Sequence, residues 1–264
     1  MPVPSKTQDQ RSYFSKVWTL VRTSAVDLVA APSAPHRAEA AARLRRQLLW
    51  LTVIGAAVVV ALMFGLDATE ISMMPKRGDP SLWPARILTE FGKDTYVLWC
   101  LLAAMIVAAM LGPLLQGTPR TRVLRLGIHV QYLFLAVLLP VLSAEIIKRV
   151  VGRGRPFVGG HADPFNFAPF TGTETAYFSF PSAHSVTAFA LAFAVGAIWP
   201  WARLPVFVYA VAIGATRLVL LAHHPSDVVG GAVIGLIGAI VVRYHFAVRQ
   251  VGFGVAGNGE IVPL

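Results

Sequence analysis

Charged residues are scarce in this sequence, and their absence is concentrated in long runs. Only 14% of the 264 residues are Asp, Glu, Lys or Arg, whereas about a quarter of the residues in an ordinary soluble domain carry charge. No charged residue occurs in 48–66, 95–119, 126–144 or 185–202. Uncharged runs of about 18 residues are long enough to cross a hydrocarbon core of roughly 30 Å. The composition therefore excludes a soluble protein and indicates a polytopic membrane protein.

Cysteine is nearly absent, and no apolar run lies close to the N-terminus. The single cysteine, Cys100, allows no disulfide within the chain and does not indicate a redox compartment. A polar region of 47 residues precedes the first apolar run, whereas a cleavable signal peptide places its apolar stretch within the first ~15–30 residues. The first span is therefore expected to remain as a membrane anchor.

The apolar runs predict an all-α fold, a bundle of six transmembrane helices. Helices are favoured because the strands of a membrane β-barrel run about 10 residues and alternate in polarity. The expected spans are 48–66, 96–115, 125–147, 185–200, 204–222 and 227–246.

This assignment divides the chain into an N-terminal region (1–47), a transmembrane domain (48–246) and a C-terminal tail (247–264). In the N-terminal region, apolar residues recur at helical spacing opposite basic ones, which predicts an amphipathic helix on the membrane surface. These apolar residues are Phe14, Val17, Trp18 and Val21.

The basic residues predict the orientation. A tight cluster, Arg43, Arg45 and Arg46, stands directly before the first span. With the N-terminus inside, 14 of the 23 Lys and Arg residues fall on the cytoplasmic side, as the positive-inside rule requires. Both termini are therefore expected in the cytoplasm. The net charge of +10 follows from this asymmetry, so the expected partner is the lipid bilayer and no nucleic acid is expected.

Two of the outward segments combine cations with a helix start. Lys148, Arg149, Arg153 and Arg155 follow the third span closely, against the positive-inside trend. Ser182 stands at the head of the fourth span as the expected N-cap, two residues before His184. The start of a helix offers unpaired N–H groups and a partial positive charge, which suit a phosphate. Taken singly, the first segment is also compatible with ordinary surface cations, and the second is better explained by an ordinary helix cap.

The third outward segment contains Arg217, His223 and Asp227. Arg217 is expected about 6 Å inside the fifth span, at 1.5 Å per residue, and an ionisable residue within a membrane indicates function. Pro225 disfavours helical geometry at His224, so His223 and Asp227 are expected to flank a turn. There the carboxylate is in position to hold the imidazole in one tautomer. A metal site is disfavoured because Arg217 would repel a cation.

The three segments together supply the groups needed for phosphoryl transfer without a metal. Cations neutralise the phosphate, one imidazole attacks phosphorus, and a second imidazole protonates the leaving oxygen.

These residues resemble the sequence blocks of the type-2 phosphatidic acid phosphatase family, the membrane lipid-phosphate phosphatases. The family blocks are Lys-x6-Arg-Pro, Pro-Ser-Gly-His and Ser-Arg-x5-His-x3-Asp. Nine of the eleven positions match in order, and Ala183 and Thr216 depart from the pattern. The matching blocks are Lys148-x6-Arg155-Pro156, Pro181-Ser182-Ala183-His184 and Thr216-Arg217-x5-His223-x3-Asp227.

The resemblance implies a role for each matching residue. His223 is expected to form a phosphohistidine, Asp227 to orient it, and His184 to act first as acid and then as base. No metal or other cofactor is implied. If residue 183 lies in the first helical turn, alanine is harmless there. The phosphate is expected to bind Lys148, Arg155, Ser182, the backbone N–H of Ala183, and Arg217.

The resemblance also implies a lipid phosphatase with its site on the outward face, in the inner membrane of a bacterium. The resemblance does not distinguish among four candidate substrates, which are phosphatidate, phosphatidylglycerol phosphate, a polyprenyl diphosphate and lipid A phosphate. A lipid phosphotransferase with the same site is a close alternative. An anion transporter is less favoured, because transporters place polar groups near the membrane midplane. The aromatic loop 157–180 is equally consistent with a lipid entrance and with a simple interfacial anchor.

Overall fold

The computed structural model of the protein describes residues 12–160, 163–170 and 175–264. Residues 1–11 of the expected N-terminal region and parts of the aromatic loop lie outside these ranges. The α-helices in the described part are α1 (Tyr13–Val29), α2 (Arg37–Gly65), α3 (Asp67–Met73), α4 (Trp83–Glu90), α5 (Asp94–Leu111), α6 (Gly117–Val151), α7 (Ala183–Ile198), α8 (Arg203–Val219) and α9 (Pro225–Val248).

Five helical segments are long and apolar enough to cross a membrane, which confirms the helical membrane class. These segments are Arg37–Gly65, Pro80–Leu111, Gly117–Val151, Pro200–Val219 and Pro225–Val248. The fourth predicted span corresponds to α7, which is apolar but has 16 residues. At 1.5 Å per residue it extends only about 24 Å. The count of six spans therefore stays a prediction.

Helix α7 lies at the centre of the bundle and packs against α6, α8 and α9. Two glycines of α9 permit its close approach to α7. A Cβ atom on Gly231 would lie 2.6 Å from the carbonyl oxygen of Ser182, and one on Gly235 would collide with the carbonyl oxygen of Val186. Because these positions carry no side chain, the second and third turns of α9 lie directly against the start of α7.

Helices α2 and α5 lie at the periphery and present apolar surface outward. Only 6% of the most apolar window in each of their spans is buried, compared with 50% for α9. The helix predicted near the N-terminus is present as α1, with Phe14 and Trp18 exposed. Its position on a membrane surface stays a prediction.

The C-terminal tail departs from the predicted all-α fold. Strands β1 (Phe253–Val255) and β2 (Ile261–Pro263) pair antiparallel. The hairpin is anchored because the ring of Phe253 packs against that of Tyr132, with centroids 4.7 Å apart. Arg43 also donates to the carbonyl oxygen of Asn258 at 3.0 Å. The sequence pattern is dominated by the apolar spans, and strands of only three residues are too short to be predicted from it.

Candidate active site

Four helix ends meet at one end of the bundle and carry most of the predicted site residues. Lys148 lies in the last turn of α6 and Arg217 in the last turn of α8. His184 lies in the first turn of α7, and Asp227 in the first turn of α9. The antiparallel packing of these helices brings blocks that are far apart in the sequence to the same end.

The start of α7 has the predicted cap. Ser182 precedes the helix in an extended conformation, and its hydroxyl accepts the backbone N–H of Ser185 at 3.5 Å. Ala183 is the first helical residue and has no positive φ, so a glycine is not required there. The backbone N–H of Ser182 donates to the carbonyl oxygen of Asp227 at 3.1 Å. This bond joins the second block to the third.

Asp227 is fully buried, and its carboxylate accepts three hydrogen bonds. The donors are the guanidinium of Arg153 at 2.7 Å, the hydroxyl of Ser179 at 2.5 Å and the backbone N–H of His224 at 2.9 Å. Its oxygen Oδ2 lies 3.8 Å from Nδ1 of His223, which is too long for a hydrogen bond. Asp227 therefore lies within ion-pair distance of His223, as the spacing predicts, but does not hydrogen-bond to it directly.

The ring of His223 is instead held by Ser179. Nδ1 of His223 lies 2.8 Å from the carbonyl oxygen of Ser179. A carbonyl can only accept, so Nδ1 carries the proton and Nε2 keeps its lone pair. Ser179 uses its carbonyl for His223 and its hydroxyl for Asp227, and so connects the carboxylate to the imidazole.

Burial keeps His223 in its neutral form. The side chain is almost completely inaccessible, and burial lowers the pKa of His223 to about 4. The negative charge of Asp227 opposes this shift, whereas the positive charges of Arg155 and Arg217 add to it. At neutral pH the ring is therefore uncharged and its Nε2 lone pair is available as a nucleophile.

Arg153 organises a buried network behind His223. Its guanidinium is 1% exposed and donates to Asp227, to Asp67 at 2.7 Å, to the hydroxyl of Ser226 at 2.5 Å, and to the carbonyl oxygen of Pro164 at 2.8 and 3.0 Å. Asp67 also accepts the backbone N–H of Ser226 at 3.0 Å. We call this network the support cluster, and its members are Asp67, Arg153, Ser179, Ser226 and Asp227.

A second set of polar groups lies near His223, and two of its members have unused hydrogen-bonding capacity. Nε2 of His184 and Nε of Arg217 are buried and have no hydrogen-bond partner among the described residues. Lys148 forms an ion pair with Glu145, and Arg155 reaches the carbonyl oxygen of Ala222 at 3.5 Å. Buried polar groups are normally satisfied, so the vacant capacity indicates a place for an anionic ligand. We call this set the ligand cluster, and its members are Lys148, Arg155, His184 and Arg217.

The segment from α4 to α5 forms another wall of the ligand cluster. The buried hydroxyl of Thr89 accepts a hydrogen bond from Arg217 at 2.7 Å. A Cβ atom on Gly92 would lie 3.4 Å from Cδ2 of His184. The next residue, Lys93, is paired with Glu90 at 2.5 Å. The sequence alone did not link this segment to the site, because Thr89 and Arg217 are 128 positions apart.

Sequence reasoning also missed most of the support cluster. Arg153 was counted among the outward cations but was not placed in the site, and Asp67 and Ser179 were not singled out. The one available signal was an acidic residue, Asp67, directly after an uncharged span. Among the described residues, no group of three or more His, Cys, Asp or Glu side chains is arranged to hold a metal ion. The absence of a metal from the reaction stays a prediction.

Comparisons with known proteins identify a family and two relatives. Residues 129–250 match the model of the PAP2 superfamily. The chain is 32% identical over 175 residues to a lipid A 1-phosphatase of Rhizobium johnstonii, which covers 66% of this chain and 71% of the relative. It is 34% identical over 175 residues to a lipid A 1-phosphatase of Rhizobium etli, which covers 66% of this chain and 75% of the relative. No solved structure gave a significant match.

These relationships define the class as membrane phosphatases that act on a lipid phosphate. Within that class, the chain belongs to the PAP2 superfamily.

Proposed function

We propose that the protein hydrolyses the 1-phosphate of lipid A without a metal, through a phosphohistidine on His223. The observation that carries the proposal is the ligand cluster, where unpartnered buried groups lie near a neutral imidazole. The choice of lipid A rests on the names of the two relatives, both lipid A 1-phosphatases.

In the first step, Nε2 of His223 attacks phosphorus and the bond from phosphorus to the lipid oxygen breaks. Lys148, Arg155 and Arg217 neutralise the phosphate oxygens, and the start of α7 adds the Ser182 hydroxyl and the N–H of Ala183. Burial and the nearby cations disfavour the protonated form of His184 in the empty site. The negative charge of the bound phosphate offsets these cations, so His184 takes up a proton when the substrate binds and donates it to the departing lipid oxygen. The products of this step are the lipid alcohol and a phosphorylated His223.

In the second step, His184 takes a proton from water, and the resulting hydroxide attacks the phosphorylated imidazole. The P–N bond breaks, inorganic phosphate leaves, and His223 regains its lone pair. The ring of His223 is positively charged in the intermediate, because Nδ1 keeps its proton while Nε2 is bonded to phosphorus. The support cluster stabilises this cation through the Ser179 carbonyl and the negative charge of Asp227, 3.8 Å away.

The proposal places the site on the outward face of a bacterial inner membrane, with both termini in the cytoplasm. It rests on the arginine cluster before α2. A reporter fused after Leu264 should behave as cytoplasmic, and one inserted at Gly160 as translocated. The opposite pattern would reverse the orientation.

The reaction is tested on purified protein with bisphosphorylated lipid A, a chelator present, and phosphate release followed together with mass spectrometry of the lipid. Loss of the 1-phosphate with unchanged rate in chelator is expected, as is inhibition by vanadate, which mimics pentacoordinate phosphorus. Activity that needs an added divalent ion would overturn the metal-free mechanism. Hydrolysis of phosphatidate but not of lipid A would overturn the substrate assignment. Phosphate found on a second lipid would identify a phosphotransferase.

A further inference from the structure

A groove lies near the end of the bundle opposite the active site, between α7, α8 and α9. Its volume is about 570 Å³. Most of its surface is apolar, but two arginines also line it, Arg203 at the start of α8 and Arg243 near the end of α9. The apolar side chains that line it include Phe189, Phe193, Leu204, Phe207 and Leu236.

Both arginines line the groove and make contacts that fix their positions. Nε of Arg203 donates to the carbonyl oxygen of Gly196 at 3.1 Å, and a Cβ atom on Gly196 would lie 2.9 Å from Cγ of Arg203. The guanidinium of Arg243 lies over the ring of Phe193, 4.9 Å from its centroid. Arginines that serve only as topology anchors extend their charge toward water. Arg243 instead lies against the ring of Phe193, and Arg203, although exposed, is fixed at the edge of the groove by its bond to Gly196.

The positive charge of this groove is not neutralised by the described part of the protein. No acidic residue lines the groove there, and neither arginine forms an ion pair with a described residue. Glu260 attracts Arg243 electrostatically but forms no ion pair with it, and Arg203 repels Arg243. Nε of Arg243 is buried and has no hydrogen-bond partner among the described residues. Two like charges held together in an apolar groove call for an external anion.

We infer that this groove binds an anionic phospholipid, with the phosphodiester between Arg203 and Arg243 and an acyl chain along the phenylalanine rings. A lipid fits better than a free anion because the lining is mostly apolar and Leu204 and Phe207 are exposed on the outer surface of α8. Basic pockets between transmembrane helices bind phospholipid headgroups in this way. The inference does not depend on the proposed reaction, since a phosphodiester lacks the terminal phosphate that the reaction removes.

The test is native mass spectrometry of the full-length protein, delipidated in a neutral detergent and mixed with phosphatidylglycerol or phosphatidylcholine of the same acyl chains. The wild-type protein should retain one phosphatidylglycerol with a preference of roughly tenfold or more over phosphatidylcholine. The double variant Arg203→Gln/Arg243→Gln should lose this preference. Arg122→Gln removes an exposed arginine from the same end of the bundle and should keep it.

Two further measurements show where on the protein the lipid binds. The variant His223→Asn should keep the preference, which would place the lipid away from the proposed active site. Millimolar inorganic phosphate should leave the lipid bound. Equal retention of both lipids by the wild-type protein would overturn the inference, and this comparison does not depend on the folding of any variant. Full preference in the double variant, or displacement by inorganic phosphate, would also overturn it.

Discussion

The support cluster and the ligand cluster lie at the same end of the bundle and use similar side chains, but their hydrogen bonds differ. Every nitrogen of the Arg153 guanidinium has a partner within the protein. In the ligand cluster, Nε of Arg217 and Nε2 of His184 have no partner among the described residues. A fully satisfied buried network holds one geometry, whereas unsatisfied groups are held ready for a ligand.

The two clusters also differ in charge. Two carboxylates and one guanidinium give the support cluster a formal charge of −1. The ligand cluster contains three cations, Lys148, Arg155 and Arg217. The positive cluster attracts a phosphate, and the negative cluster stabilises the imidazolium that phosphoryl transfer would form on His223.

The largest effect is expected at the residue that separates the two clusters. In His223→Asn, the side-chain amide can still donate to the Ser179 carbonyl but has no nucleophilic nitrogen. Phosphate release should fall at least ~10⁴-fold, and no acid-labile phosphoprotein should be trapped by rapid quenching. The matched substitution His36→Asn, at an exposed position, should leave both measurements unchanged. Normal phosphorylation of His223→Asn would assign the nucleophile to another residue.

A substitution in the support cluster should lower the stability of the folded protein. Arg153→Met leaves Asp67 and Asp227 buried without their cation, which should lower the free energy of unfolding by about 3–5 kcal/mol. Thermal unfolding in detergent measures the loss. Arg149→Met, at an exposed position in the last turn of α6 four residues before Arg153, is the control and should change stability by about 0.5 kcal/mol or less. An unchanged melting temperature in Arg153→Met would contradict the role assigned to this network.

A substitution in the ligand cluster should lower activity without lowering the stability of the folded protein. Arg217→Gln removes a buried charge whose Nε is unpartnered, so phosphate release should fall by roughly 10²–10³-fold while the melting temperature stays the same or rises. A marked fall in melting temperature, with activity lost only in proportion to unfolding, would remove the distinction between the two clusters.

A smaller effect is expected at Thr89, which positions Arg217. Thr89→Val keeps the shape of the side chain and removes the hydroxyl, so kcat/KM should fall roughly tenfold to a hundredfold. Thr89→Ser should restore most of the activity. Thr19→Val, where the hydroxyl bonds only to its own helix, is the matched control. If Thr89→Ser is as impaired as Thr89→Val, packing rather than the hydrogen bond explains the defect.

The smallest effect concerns pH. Because burial lowers the pKa of His223 to about 4, the ring stays neutral down to about pH 5 and gains a proton only below that. An ordinary histidine would be half protonated near pH 6.5 and would have lost half of its nucleophile there. NMR of ¹⁵N-labelled histidine, with His223→Asn for assignment, measures the midpoint directly. A midpoint near 6.5 would show that water reaches the ring.

Local sequence patterns predicted much of this site correctly. Ser182 caps α7 as expected, Ala183 occupies the first helical position, and Pro225 separates α8 from α9. These features depend on residues within one or two turns of each other, so helix-propensity and capping rules can predict them. The contact of Asp227 with His223 was also a local expectation, from a spacing of four residues, but Ser179 takes the imidazole N–H instead.

The sequence by itself determined the membrane class, the helices and the order of the three motif blocks, because hydrophobicity and local spacing are written along the chain. Tertiary structure decided that Ser179 connects Asp227 to His223, that Arg153 lies between two carboxylates, and that Thr89 holds Arg217. The partners in these contacts are separated by 44 to 128 positions. They meet only because glycines let α9 approach α7 and because the ends of four antiparallel helices converge, and a pattern read along the chain does not contain that geometry.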